Sequence, residues 1–215
     1  MVDRTAEELQ NSLHNERKWR RLEISTTKSR ALTAGISDES AICRAFWLLQ
    51  YAHWEGFVKA AVERYLCFVA MRNLKFSELQ NGFRLLPNSP LYSAIHQIQK
   101  KDQDKLAALS KIMMLGEQRL TKRHVEISTK SNLRWDVLKN LSDICCVDLH
   151  SFVDTAYLNI ILADRRNEIA HGQWLKISKN DVQDVRDTCA NWMDQILNNL
   201  VNAAAVEGYK CNPLT

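Results

Sequence analysis

Turn-forming residues are scarce in this chain. Its 215 residues hold 6 Gly and 3 Pro, about 4% where globular proteins use roughly 12%. A β-sandwich or barrel turns the chain about every ten residues and draws on those two residue types to do it. The scarcity excludes an all-β architecture and favours long helices joined by few connections. Apolar residues at 46% and charged residues at 25% supply a packed core and exclude wholesale disorder. No run approaches 18 consecutive apolar residues, and residues 1–10 carry acids where a secretory signal has its apolar stretch. These features predict a soluble, cytoplasmic protein with no membrane partner.

Thr5 followed by Glu8 is a capping-box pattern, and the sparse stripe Leu9, Leu13, Leu22 predicts a helix over 5–24. The polar run 25–37 reads as a connection, so residues 1–36 form an N-terminal helix and linker. Ser37 is placed to cap a long helix over 38–72, with Ile42, Phe46, Leu49, Phe57, Ala61 and Leu66 recurring at helical spacings and nothing decisive at Gly56 to break it. Glu55/Lys59 and Lys59/Glu63 read as i,i+4 charge pairs on its outer side.

Residues 73–131 are weakly patterned. Pro87 to Pro90 must be a loop, because each proline disfavours helix at the residue before it. A helical look returns over 102–120, with Leu106, Leu109, Met113 and Leu120 along one side. The segment reads as a variable insertion of one or two helices within a single domain spanning 1–215. It carries a net charge of +5, against +4 for the whole chain. That surplus is either a nucleic-acid footprint or a solvated, Lys-rich face.

The C-terminal part, 132–205, is clearer. Leu133, Val137, Leu138, Leu141 and Ile144 mark one helix. Residues 152–171 mark a second, with Val153, Tyr157, Ile160, Ile161 and Ile169, stopped by Gly172 at the usual glycine position. Ser178 and Asp181 open a third with an acidic capping box, and Val182, Val185, Cys189, Trp192, Ile196 and Leu200 carry its stripe to about residue 204. The expected fold class is all-α, a bundle of five or six helices. Cysteines at 43, 67, 145, 146, 189 and 211 form no C-x-x-C and read as reduced structural thiols. No P-loop, G-x-G-x-x-G, H-E-x-x-H or G-x-S-x-G is present, so no cofactor or metal is expected.

One constellation carries chemistry: Asp164-Arg165-Arg166-Asn167-Glu168-Ile169-Ala170-His171-Gly172. On an α-helix Asn167 lies about 40° from His171 and Asp164 about 20°, while the long Arg166 side chain can swing to the same surface. A cation, an amide and an imidazole at one helix end can bind a phosphodiester and move protons. The plainer alternative has His171 capping the last carbonyls and Arg166 paired with an acid. Spacing alone does not decide, since Arg119 and His124 repeat it. That second pair, however, sits in a weakly patterned segment with no glycine stop.

The ending Arg166-Asn167-x-x-Ala170-His171-Gly172 resembles the signature of the HEPN superfamily. The stretch from Leu49 through His53, Trp54, Glu55 and Gly56 to Lys59, and Thr129 to Leu133 before Val137-Leu138, resembles the MAE-like HEPN nucleases. The resemblance spans about 40–200 and leaves 73–125 unmatched. It implies a HEPN-like bundle acting as a metal-independent endoribonuclease, a prokaryotic toxin or phage-defence effector. The ribose 2′-hydroxyl would attack the adjacent phosphorus and leave a 2′,3′-cyclic phosphate and a 5′-hydroxyl. His171 would carry protons, Arg166 would bind the scissile phosphate, and Asn167 would orient His171 or donate to the phosphate.

Arg165 is a supporting cation. Glu55 is a candidate support too, with a simple surface pair to Lys59 as the plainer role; His53 and Trp54 read as packing residues. The resemblance further implies RNA as substrate, a homodimer with a composite site, and an antitoxin or defence partner. Gly172-Gln173-Trp174 offers no tyrosine after the histidine, which argues against silencing by nucleotide transfer to such a tyrosine. The competing expectation is a non-catalytic HEPN module that binds RNA, nucleotide or a partner protein.

Overall fold

The computed structural model describes residues 3–35, 39–86, 88–89, 114–129 and 132–211. Its centre is α2 (Glu39–Ala70), an apolar helix buried over most of its surface, from Phe46, Trp47 and Trp54 to Phe57, Tyr65 and Phe68, with Ala45, Ala52, Lys59 and Glu63 left exposed along one edge. A helix this apolar must be covered over most of its surface. Helix α1 (Ala6–Thr33) and the long C-terminal helix pack on it and on each other. Among the described residues there is no strand, only two isolated bridges, Lys75 to Arg119 and Leu79 to Lys210. The chain is all-α, as expected. No described helix is long and apolar enough to cross a membrane.

Thr5 caps α1 with its box to Glu8 in place, but the helix does not stop at residue 24. It runs on to Thr33 through the stretch expected to be a connection. The hydroxyls of Thr26, Thr27 and Thr33 return to the carbonyls of Leu22, Glu23 and Ser29, so the polar run satisfies itself along the helix surface. Ile24 and Ala31 bury its inner side. Leu22 is 70% exposed and lies off the stripe. Arg20 takes a buried position instead, ion-paired with Glu16 and stacked on the Trp19 ring.

The described parts of the 73–131 segment hold three short 3-10 turns, Phe76–Glu78, Asn81–Leu85 and Lys122–His124, and residues 114–116 are helical. Phe76, Leu79, Phe83, Leu86 and Leu120 are fully buried in the common core. Gly82 lies so close to the carbonyl of Asp143 that a Cβ would sit 2.0 Å from it; only glycine lets this turn dock. Ser37, Pro87, Pro90 and residues 102–113 lie outside the described residues.

Helix α3 (Trp135–Cys145) follows, its first N–H held at 3.0 Å by the Asn159 carboxamide. Next comes a π-helical segment, Tyr157–Asp164, which flows into α4 (Arg165–Ala170). The wider turns shift the stripe read from an α-helical period. Leu158, Leu162 and Ala163 face the core, and Ile160, expected there, is 59% exposed. Helix α5 (Lys179–Ala205) starts at the expected Ser178–Asp181 box and buries its expected stripe from Val182 to Leu200. The six cysteines are free thiols, with Cys43, Cys145 and Cys189 buried.

Candidate functional site

Residues four apart on a helix share a face, and on α2 this places Tyr51, Glu55 and Lys59 along one side of a cleft of about 490 Å³. Leu48 and Thr129 line it further, and Arg166 enters from the start of α4. The Arg166 guanidinium lies 4.1 Å from the centre of the Tyr51 ring. One of its nitrogens is 3.5 Å from the Asn132 carboxamide oxygen and 3.9 Å from Glu55. Both charged side chains are under one-fifth exposed.

The partners of Arg166 are themselves fixed. The Tyr51 hydroxyl donates to Asn132 at 3.2 Å and accepts the Leu133 backbone N–H at 2.6 Å. Burial pushes its phenol above the ordinary range, and nearby Glu55 pushes the same way against the pull of Arg166. It therefore stays a protonated donor at neutral pH. The Thr129 hydroxyl donates to Glu55. Glu55 is thus turned inward onto Thr129 and Arg166, which corrects the outer-side reading of its pair with Lys59. The position of α2 decides this, since Thr129, Asn132, Leu133 and the Arg166 side chain of α4 gather on its Tyr51–Glu55 side.

His171 terminates α4 as its C-cap. Its N–H donates to the Asn167 carbonyl at 2.9 Å, Gly172 follows at φ 77°, and the Gly172 and Gln173 amides return to Ile169 and Glu168. These two return bonds are the Schellman stop that the glycine announced. The His171 side chain is exposed and Asn167 half-buried. Asn167 and His171 therefore sit one turn apart at the helix end, with Arg166 reaching into the cleft.

Arg165 is not brought to that cleft. It pairs with Asp181 at 3.0 Å and lies 5.4 Å over the Trp47 ring. Asp164, which an α-helical period would stack near His171, is held by Arg134 instead.

His124 and His53 have structural surroundings. His124 is buried in its 3-10 turn, accepts the Thr121 N–H at 3.1 Å and leans on Phe76. Burial, helped by Arg123, holds its pKa below the usual range. His53 is buried against Trp19, 3.1 Å from Glu23, and Trp54 packs on Trp192, as expected of packing residues.

Tyr51, Thr129 and Asn132 were given no role by the sequence and Lys59 only that of a surface charge pair, although all four stand in the two stretches that carry the resemblance. The 51/55/59 spacing was the available signal. Among the described residues no group of three or more His, Cys, Asp or Glu could hold a metal ion. A family model described as HEPN_MAE_28990-like HEPN matches residues 9–209. No curated protein and no solved structure matches the chain.

Proposed function

The chain belongs to this HEPN family, whose helical domains have RNase-type or nucleotide-related functions, and from that premise we propose that it is a metal-independent endoribonuclease. The 2′-hydroxyl of the substrate gives its proton to a base and its oxygen bonds to the neighbouring phosphorus. The bond from phosphorus to the 5′-oxygen breaks, and that oxygen takes a proton. The products are a 2′,3′-cyclic phosphate and a 5′-hydroxyl. His171 carries the protons, Asn167 orients it or donates to the phosphate, and Arg166 stabilises charge on the phosphoryl oxygens. In this role the protein is a toxin or phage-defence effector, working as a homodimer that sets two copies of the motif together.

The observation that carries the reading is the fixation of Arg166. A lone surface arginine is mobile, whereas this one is stacked on Tyr51 and held from two sides by Asn132 and Glu55. Preorganised charge of this kind is what a developing phosphorane-like oxygen needs. The test is cleavage of a labelled RNA in excess EDTA, with end-group analysis of the products. Cyclic phosphate ends and no turnover of the DNA analogue are expected, because DNA lacks the nucleophile. A strict need for Mg²⁺, or 5′-phosphate products, overturns the mechanism.

A second reading has one observation in its favour: Glu55 already sits opposite Arg166 and competes with an incoming phosphate. It makes the chain a non-catalytic HEPN module that binds RNA, nucleotide or a protein. RNA binding with no cleavage by the wild-type protein would establish it.

A further inference from the structure

Trp174 is 75% exposed, and among the described residues its indole makes no hydrogen bond and no ring contact. The other exposed tryptophan, Trp19, is engaged by Arg20 and His53, so among the described tryptophans only Trp174 is both exposed and without a ring or cation contact. Its segment is pinned at both ends. Upstream, the Gln173 N–H is tied to Glu168 by the Schellman stop; downstream, Ile177 is buried and Ser178 caps α5. Trp174 lies three positions after His171, so their Cα atoms are within about 11 Å even if the chain is fully extended. Exposed Lys176 follows two positions on.

We propose that Trp174 stacks on a nucleobase flanking the phosphate addressed by Arg166 and His171, and so positions single-stranded RNA in the site. The inference rests on the ribonuclease reading above. An indole is a flat apolar surface that any base can cover, and a base stacked on an anchored aromatic is held without sequence readout. The bare face next to the proton carrier suits an unpaired nucleotide, because a base within a duplex already has both its faces stacked. Lys176 adds a cation for the phosphate of the same nucleotide. Trp174 is thereby a positioning residue, separate from the groups that move protons.

The experiment uses the full chain carrying His171→Ala, which removes turnover, and a short fluorescent single-stranded RNA. Binding is read by anisotropy for this parent and for Trp174→Ala, Trp174→Phe and Trp174→Tyr in its background. Loss of one stacked base corresponds to about 5- to 150-fold weaker binding for alanine, with phenylalanine and tyrosine restoring most of it. An RNA scanned with a single abasic nucleotide should weaken the parent at one position and leave Trp174→Ala indifferent there. A merely structural tryptophan would show no such base dependence.

Unchanged binding by Trp174→Ala, or equal sensitivity of both proteins to the abasic scan, overturns the proposal while the ribonuclease reading stands. A change in oligomeric mass on Trp174→Ala assigns the indole to packing against a second copy and also overturns it. If the wild-type chain cleaves no RNA and the parent binds none, the ribonuclease reading fails and this inference falls with it.

Discussion

Arg166 and Glu55, far apart in the sequence, meet at 3.9 Å, with the guanidinium over the ring of Tyr51. The separation is at the outer limit of an ion pair, with Thr129 holding the carboxylate from the other side. Such a contact steers the guanidinium without locking it. An arriving phosphate competes with Glu55 for the cation.

Glu55→Ala should therefore lower cleavage about 10- to 100-fold, because misplacing a reacting group by an ångström or so costs on that order. Glu55→Gln keeps the oxygen that Thr129 donates to and should retain most of the rate. Single-turnover kinetics with both variants checks this. Equal rates for Glu55→Ala and wild type would show that the carboxylate has no positioning role.

Tyr51→Phe probes the layer behind the arginine. The lost hydroxyl strands the Leu133 N–H, which is bonded at 2.6 Å beside a fully buried side chain. An unsatisfied buried donor costs about 1–3 kcal/mol. Urea unfolding should show that loss, and an unchanged midpoint would mean that the amide finds another partner.

The local features of this fold were legible, and the long-range ones were not. Ser178 with Asp181 and Gly172 after His171 are short-range chemistry, and each boundary fell where the residues put it. The run 25–33 misled because threonine hydroxyls that bond back to their own helix look the same in sequence as those that form turns. Ile160 misled because a stripe read at 3.6 residues per turn slips when π-turns intervene. At the candidate site the motif residues were visible as a string, but Tyr51, Asn132 and Thr129 act through contacts that cross from α2 to the stretch before α3. No periodicity encodes such contacts.

A pH dependence of stability follows from His53. Burial holds its imidazole below the ordinary 6.5, with Glu23 opposing and Arg20 adding to the effect. The unfolded chain takes up that proton near pH 6.5 while the folded chain still refuses it. Below 6.5 the unfolded state binds more protons, so stability falls with decreasing pH until the folded histidine also protonates. His124 acts in the same direction, through burial and Arg123. The urea midpoint should drop from pH 7 to pH 5.5, and His53→Gln with His124→Gln should flatten the slope. A slope unchanged by the double variant would rule these groups out.

Assembly is open to a direct test. Closed twofold dimers are the commonest oligomers, and the π-segment ahead of the motif exposes Ile160. Light scattering at micromolar concentration should give about 50 kDa, twice the 24.8 kDa chain, and Ile160→Glu should lose dimer and cleavage together. A wild-type mass of one chain would contradict the composite site.

The last prediction separates the motif from its repeat in the sequence. Arg119 and His124 reproduce the spacing of Arg166 and His171, yet the two histidines are placed oppositely. His171 is an exposed C-cap whose backbone, not its ring, closes the helix. His171→Ala should therefore leave the fold intact and abolish cleavage, since loss of a general acid–base group alone is worth roughly 10²–10⁴ in rate. In a composite dimer both copies are lost at once, which pushes the effect to the upper end. His124 is buried, bonded to Thr121 and packed on Phe76. His124→Ala should therefore cost stability, about 1–3 kcal/mol for the stranded Thr121 N–H, while its folded fraction turns over at the wild-type rate. The measurement is a single-turnover cleavage assay on both variants, normalised to the folded fraction from circular dichroism. A folded His171→Ala that cleaves at the wild-type rate, or a folded His124→Ala that is dead, would move the site to the other pair.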